Sequence, residues 1–321
     1  MDRARAVSPS AYRRLTLAAL WSLVFIVVTG AAVRLTESGL GCSTWPGCEP
    51  GDFVPRAESG LNPWIEFGNR LVTGAVSVAV ALAVLGALRR VPRRRDLTLL
   101  SWGLVAGVIG QILLGALVVV VHVHPVAVQG HFVLSAVLVA DAVILHHRAG
   151  LPDGPGGRAA AGPAPASPPA VRLARAVVAL AAAVLLAGTL VTGSGPHAGD
   201  AEAERLSLSI TRVAQVHSGL TWVLLATLVA LGVRLRREAP GGVALERATA
   251  LLTAVVLQGA LGYLQYATGV PELLVGLHVL GSMLVWAAAL RLLLALAAPL
   301  PRAAVEPGGG AREATTSRAP A

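Results

Sequence analysis

Two stretches of the chain, 147 residues apart, carry the same residues at the same spacing. Gln111, Leu114, Gly115, His131 and Ser135 recur as Gln258, Leu261, Gly262, His278 and Ser282, with twenty residues from Gln to His in each. Each set spans the end of one apolar run, a short connection and the start of the next. A histidine inside an apolar helix is costly unless something binds it. Imidazole at matched positions of a duplicated membrane bundle points to a metal or haem centre.

His217 adds to this pattern. It begins the sixth apolar run at a depth comparable to His278 in the eighth, so two helices of one bundle can aim two imidazoles at one iron. The repeat places the first-half counterpart of His217 at Arg70, next to Asn69, and neither is a histidine. His131 therefore has no evident second ligand. Glu66 and Asn69 share a helical face, with Arg70 one turn from Glu66. Glu66 either pairs with Arg70 or is a reactive carboxylate beside a bound substrate. His146, His147 and His197, and with them His122 and His124 in a short connection, read as solvated interfacial residues. Cys42 and Cys48 are the only cysteines. Six residues apart in one loop, they can form a disulfide, either a structural staple or a redox-active pair.

The elements that must position these groups are apolar helices. The chain has 321 residues, 55% hydrophobic and 13% charged, with a mean hydropathy of +0.70, the composition of a polytopic membrane protein. Eight runs are long enough to cross the hydrocarbon as helices, at roughly 15–35, 64–88, 97–121, 126–147, 171–191, 210–235, 248–267 and 273–296. The first is too long for a signal-peptide core and lacks a clear cleavage site, so it reads as a retained span. The net charge of +9 does not indicate nucleic acid, because the basic residues cluster in loops between apolar runs.

All 26 basic residues are arginine, and all but Arg34, Arg56, Arg70, Arg205 and Arg212 fall on one side of the alternating spans. That bias predicts cytoplasmic N- and C-termini in the cell membrane. The opposite loops carry Glu37, Glu49, Asp52, Glu58, Asp200, Glu202, Glu204 and Glu272. Four spans per half make the halves parallel repeats about an axis along the membrane normal. Four units follow: an N-terminal half (1–148), a Gly/Pro/Ala linker (149–170), a C-terminal half (171–300) and a disordered tail (301–321).

Several ordered motifs resemble the haem A synthase family. The run Thr29 to Cys42 (TGAAVRLTESGLGC), followed by Trp45, Pro46 and Cys48, is similar to that family's first outer loop. Glu66-x-x-Asn69-Arg70 resembles a motif in which family members carry Glu-x-x-His-Arg. Val191 to Asp200 (VTGSGPHAGD), the two Gln-x-x-Leu-Gly motifs, His131, His217 and His278 also match. The likeness covers all but the linker and tail.

This resemblance implies an all-α integral membrane fold of two four-helix bundles. It implies oxidation of the C8 methyl of haem O, through an alcohol, to the formyl group of haem A for terminal oxidases. It also implies a haem B cofactor held by His217 and His278, with His131 on the iron of the substrate haem and Glu66 near the reacting methyl. Asn69 and Arg70 would line the substrate pocket, and Asn69 departs from the family histidine. Haem O synthase and a membrane electron partner are the implied partners. Arg34, Arg70 and Arg212 either meet haem propionates or anchor helix ends. Two rival readings are a dihaem b-type electron-transfer subunit, which calls for two complete histidine pairs, and a haem or small-molecule transporter.

Overall fold

The computed structural model describes residues 6–153, 166–239 and 241–297. The eight expected spans are helices α1 (Pro9–Leu35), α2 (Leu61–Arg89), α3 (Arg95–Val120), α4 (Pro125–Ala149), α5 (Pro168–Ser194), α6 (Ile210–Glu238), α7 (Val243–Ala267) and α8 (Glu272–Leu296). A single 3-10 turn at Ala57–Ser59 precedes α2. All eight are long and apolar enough to cross a membrane, which makes this a multi-pass membrane protein. Most helices overrun the apolar runs by several residues, because hydropathy marks only the hydrocarbon slab. Helices continue through the headgroup layer until a cap stops them.

Three starts are capped in the same way. Ser8 accepts a bond from the Ala11 amide, Ser167 from the Ala170 amide and His124 from the Val126 amide, each with proline in the first turn. Side-chain acceptors satisfy orphan amides there, and proline has no amide to lose. His124 is thus a cap, with His122 and Val123 before it at positive φ (50° and 58°). The linker ends in structure: Asp153 pairs with Arg90, and Ser167 binds Glu238 as it starts α5. The expected tail, 301–321, lies outside the described residues.

Neighbour relations form two closed rings. In the first, α1 touches α2, α2 touches α3, α3 touches α4 and α4 touches α1; α5 to α8 repeat the circuit. The rings meet through α4 with α8, α1 with α8 and α4 with α5. Equivalent helices thus exchange places across the seam, as a pseudo-two-fold requires. The indole N–H of Trp286 on α8 donates to the Ala136 carbonyl of α4 at 2.9 Å across it.

Packing is uneven along the bundle axis. The side where α1 begins and α8 ends, the terminal side, is filled by Tyr12, Leu97, Leu104, Val139, Leu145, Leu228, Leu231, Leu251, Met283 and Leu292, each 0–1% exposed. Tyr12 and Ser101 bond to each other within it at 2.9 Å. Toward the opposite, far side, burial thins on six of the eight described helices, while α1 keeps Val27 and Val33 buried and α5 keeps Ala187 and Gly193. No residue is buried between Val108 and the end of α3, between Pro125 and Ala136 on α4, or between Glu66 and Val76 on α2. In the second ring none is buried on α6 before Leu224, on α7 after Val255, or on α8 before Met283. Protein interiors are normally close-packed, so both bundles are less filled at this level than on the terminal side.

Glycines set the helix separation. On α3, a Cβ at Gly103 would lie 2.7 Å from Asp141, one at Gly107 would strike Leu138, and one at Gly110 would lie 3.1 Å from Leu134, all on α4. Small residues let membrane helices approach closely. Gly107→Val should destabilise the fold by about 1–3 kcal/mol through overpacking. Gly74→Ala, with nothing within 4 Å of the new methyl, should be neutral or stabilising. Thermal midpoints in detergent check both; equal midpoints for Gly107→Val and wild type would contradict the close α3–α4 contact.

Candidate functional site

The second ring brings His217 (α6) and His278 (α8) together. Their ring centroids are 6.4 Å apart with planes inclined at 65°. A metal–imidazole bond of about 2 Å, plus roughly 1 Å from nitrogen to ring centre, places two rings on one metal about 6 Å apart. Nδ1 of His217 lies 3.0 Å from the Val184 carbonyl of α5. A carbonyl can only accept, so Nδ1 carries the proton and Nε2 is left with its lone pair. Nδ1 of His278 is buried with no hydrogen-bond partner. Among the described residues no three His, Cys, Asp or Glu side chains form a group that could hold a metal ion. Two imidazoles in the less filled part of a bundle suit a metal that brings its own equatorial ligands, as haem does.

The Gln-x-x-Leu-Gly motif has a physical explanation here. Gln258 Nε2 donates to the His278 carbonyl at 2.7 Å. One turn on, Gly262 leaves space for the ring, since a Cβ there would lie 3.1 Å from His278 Cε1. Gln111 repeats the bond to the His131 carbonyl at 3.1 Å, and a Cβ at Gly115 would lie 3.4 Å from His131 Nε2. The glutamine pins the histidine's backbone and the glycine seats its ring. His217 rests likewise over Gly188 of α5, where a Cβ would come within 3.2 Å of Cε1.

The first ring differs on α2, at Asn69. Asn69 accepts the Thr29 hydroxyl of α1 at 2.7 Å. Gln111 also donates to Ser135 Oγ at 2.6 Å, while its carbonyl oxygen is buried without a partner. The far side here is closed by the 42–60 loop. Cys42 and Cys48 are disulfide-bonded. Glu66, 5% exposed, accepts the Cys42 amide at 2.7 Å on one oxygen and pairs with Arg70 at 2.5 Å on the other. Arg70 also donates to the carbonyls of Thr44 (3.1 Å), Pro46 (3.3 Å) and Gly47 (2.8 Å). The pair is therefore a latch that holds the disulfide loop on α2. Arg70 commits Nη1 to the loop and Nη2 to Glu66, and Glu66 has both oxygens engaged while lying one turn from Asn69.

Within that loop Ser59 and the Arg56 amide bond Glu49 and hold its carboxyl below the usual range. A depressed value means the contribution is present at neutral pH and fades as pH falls through the lowered value.

Arg34 binds backbone carbonyls of the second half. Its Nε donates to the His197 carbonyl and Nη2 to the Thr192 carbonyl, both at 2.6 Å. His197, read from sequence as solvated, donates Nε2 to the Val270 carbonyl at 2.8 Å. His146 binds Thr16 at 3.0 Å, a helix-to-helix contact on the terminal side. Arg212 is exposed. The sequence does not reveal the Thr29 donor or the carbonyl acceptors of Val184, Thr192 and Val270. Backbone carbonyls carry no residue signature, although Arg34 itself stands in the TGAAVRLTESGLGC run.

Fold and site together define a duplicated eight-helix membrane protein with one histidine pair seated across a bundle. The family model of cytochrome oxidase assembly proteins (COX15-CtaA) matches residues 13–290, and the chain belongs to that family. It is similar to proteins named heme A synthase from Lysinibacillus sphaericus strain C3-41 (33% identity over 130 residues, 40% of this chain and 42% of the relative) and from Bacillus pumilus strain SAFR-032 (34% over 139 residues, 42% and 44%). A third, from Halalkalibacterium halodurans, is 33% identical over 124 residues, 38% of this chain and 41% of its own length. The aligned stretches thus span less than half of each relative's length.

Breaking the latch tests its structure. Arg70→Gln leaves the Glu66 carboxylate buried without its cation, a loss of roughly 3–5 kcal/mol in buried pairs. The 42–60 loop should become at least tenfold more sensitive to protease, with the helices still folded. Unchanged cleavage would show that the loop does not depend on Arg70.

Proposed function

We propose that the protein is a haem A synthase of the cell membrane, with both termini cytoplasmic. It oxidises the C8 methyl of haem O to a formyl group, and the observation that supports this best is the His217–His278 pair in the less filled part of the second bundle. In this reading the second bundle holds haem B through His217 and His278, and the first receives haem O with His131 as iron ligand. The methyl loses electrons and protons and gains one oxygen atom, so an electron partner in the membrane and a supply of haem O from haem O synthase are required. Iron supplies the oxidative chemistry. The protein's own residues bind and orient the two macrocycles and exclude water.

The two halves divide the work by how they differ. His217 and His278 would together hold the iron of haem B, which would supply electron transfer. Asn69 replaces the second imidazole beside the substrate, and its amide is held on α1 by Thr29. A singly ligated iron keeps an open position. Glu66 borders that pocket, one turn from Asn69, with its carboxylate oriented by Arg70 and the Cys42 amide. The dihaem electron-transfer reading requires a second histidine pair, and Asn69 weighs against it.

Two sets of variants test this. His217→Ala and His278→Ala should each abolish the stable b-type spectrum of the purified protein. If both singles keep a normal low-spin spectrum, the ligand assignment is wrong. Glu66→Gln separates reaction from latch when compared with Arg70→Gln. If the carboxylate serves the reaction, Glu66→Gln should cut haem A formation by at least a hundredfold while keeping the haem B spectrum. Arg70→Gln, which frees the same loop, should lose far less. Equal losses would assign Glu66 to the loop alone. Asn69→His should be tolerated by the fold and shift the substrate iron toward low spin.

A further inference from the structure

We propose that Arg34, on α1 of the first bundle, is a positioning residue for the iron ligands of the second. The proposal rests on the haem reading above. Arg34 stands in the last turn of α1, five residues beyond Thr29, which holds Asn69. Its guanidinium crosses to the other bundle and grips two carbonyls there, each at 2.6 Å. Both lie on segments that support the histidine pair.

The first carbonyl is Thr192, in the last turn of α5. That turn follows directly from Gly188, which seats the His217 ring, and from Val184, whose carbonyl fixes the His217 tautomer. The second is His197. Its ring donates to the Val270 carbonyl, and Val270 stands at φ +62° just before Pro271, the N-cap of α8. His278 lies two turns into that helix. One side chain thus reaches the α5 surface behind His217 directly, and the start of α8 through a single imidazole.

The surroundings leave this link little room to move. The Gly39 amide donates to the Gly199 carbonyl at 2.8 Å, and a Cβ on Gly39 would lie 2.8 Å from the same oxygen. Gly199, at φ +106°, packs against Val123 and Arg34. Leu35 touches Gly276 of α8, where a Cβ would lie 3.5 Å from Cδ1. Val123, Ala198 and Ala203 form a small buried cluster of their own at this junction. Arg205 supplies an internal comparison. It binds the carbonyls of Gly195 and Pro196 in the same loop, but from within the second half. Arg205 braces the loop; Arg34 also ties it to the other bundle. A guanidinium reaches the two carbonyls from two nitrogens of one rigid planar fork, whereas an ammonium must serve both from a single nitrogen.

The test uses full-length protein with Arg34→Gln, Arg34→Lys, His197→Ala and Arg205→Gln. Haemin titration and the low-spin ferric EPR signal read the His217–His278 site. Hydrogen exchange over residues 270–280 reads the start of α8 without any haem. Arg34→Gln should weaken haem binding by roughly ten- to a hundredfold, the size that supporting bonds behind a metal ligand carry. It should also broaden the low-spin signal and speed exchange at 270–280. Arg34→Lys should recover only part of this. His197→Ala should act in the same direction, and the Arg34→Gln/His197→Ala double variant should be less than additive, since both break one chain of contacts. Arg205→Gln should leave signal and exchange near wild type. Wild-type behaviour in Arg34→Gln, or equal changes in Arg205→Gln, would overturn the proposal. If wild-type protein shows no low-spin haem signal, the functional reading fails on its own. The exchange data then decide the link: faster exchange in Arg34→Gln alone supports it, and no difference refutes it.

Discussion

An imidazole placed among apolar helices must be both held and given a partner, and the rest of this structure follows from that constraint. His131, His217 and His278 each rest over a glycine of the preceding helix, Gly115, Gly188 and Gly262 respectively. Two of them have their backbone pinned by a glutamine one turn away from that glycine. Seating the rings this way fixes the helix separation. Around the rings, α3, α4, α6, α7 and α8 bury few side chains, while the terminal half is packed with leucine and valine. The more filled half supplies stability and the less filled half supplies the site.

Duplication and divergence then act on this common frame. Both rings keep the Gln, Gly and His positions. The first replaces the second histidine by Asn69, adds the disulfide loop and latches it with Glu66 and Arg70. It also carries Asp141 against Gly103, where the repeat places Ala288 and Ala250 in the second ring. The differences gather in the half that would meet substrate, and the symmetric features gather where a resident group would sit. A protein that only passes electrons between two equivalent centres has no need of such a division.

Much of this was legible in the sequence. Apolar runs gave eight helices because backbone groups in lipid must be satisfied within a helix. The 147-residue repeat singled out His131 and His278 but not His217, and Cys42 and Cys48 gave the disulfide. The sequence left Glu66 open between pairing with Arg70 and reacting, and the structure shows that the pair exists and has a further task in holding the loop. His197 is bonded rather than solvated, and the contacts of Arg34 and His197 were hidden for a different reason. Their partners are backbone carbonyls of Thr192, His197 and Val270, and every residue has such an acceptor. A link between chain positions 163 residues apart through anonymous acceptors leaves no pattern to read. The less filled far side was equally hidden, since apolar residues there look like any others until their burial is known.

The central claim is that His217 and His278 hold one iron between them. It is tested most directly on the full-length protein purified from cells that make no haem O, so that haem B alone is present. Pyridine–haem analysis counts haem per chain, and EPR with near-infrared magnetic circular dichroism identifies its ligands. The account predicts a bis-imidazole, low-spin ferric haem B, one per chain, that disappears in His217→Ala and His278→Ala. Protein that binds no haem, or binds it only in a high-spin form with a single nitrogen ligand, would contradict it.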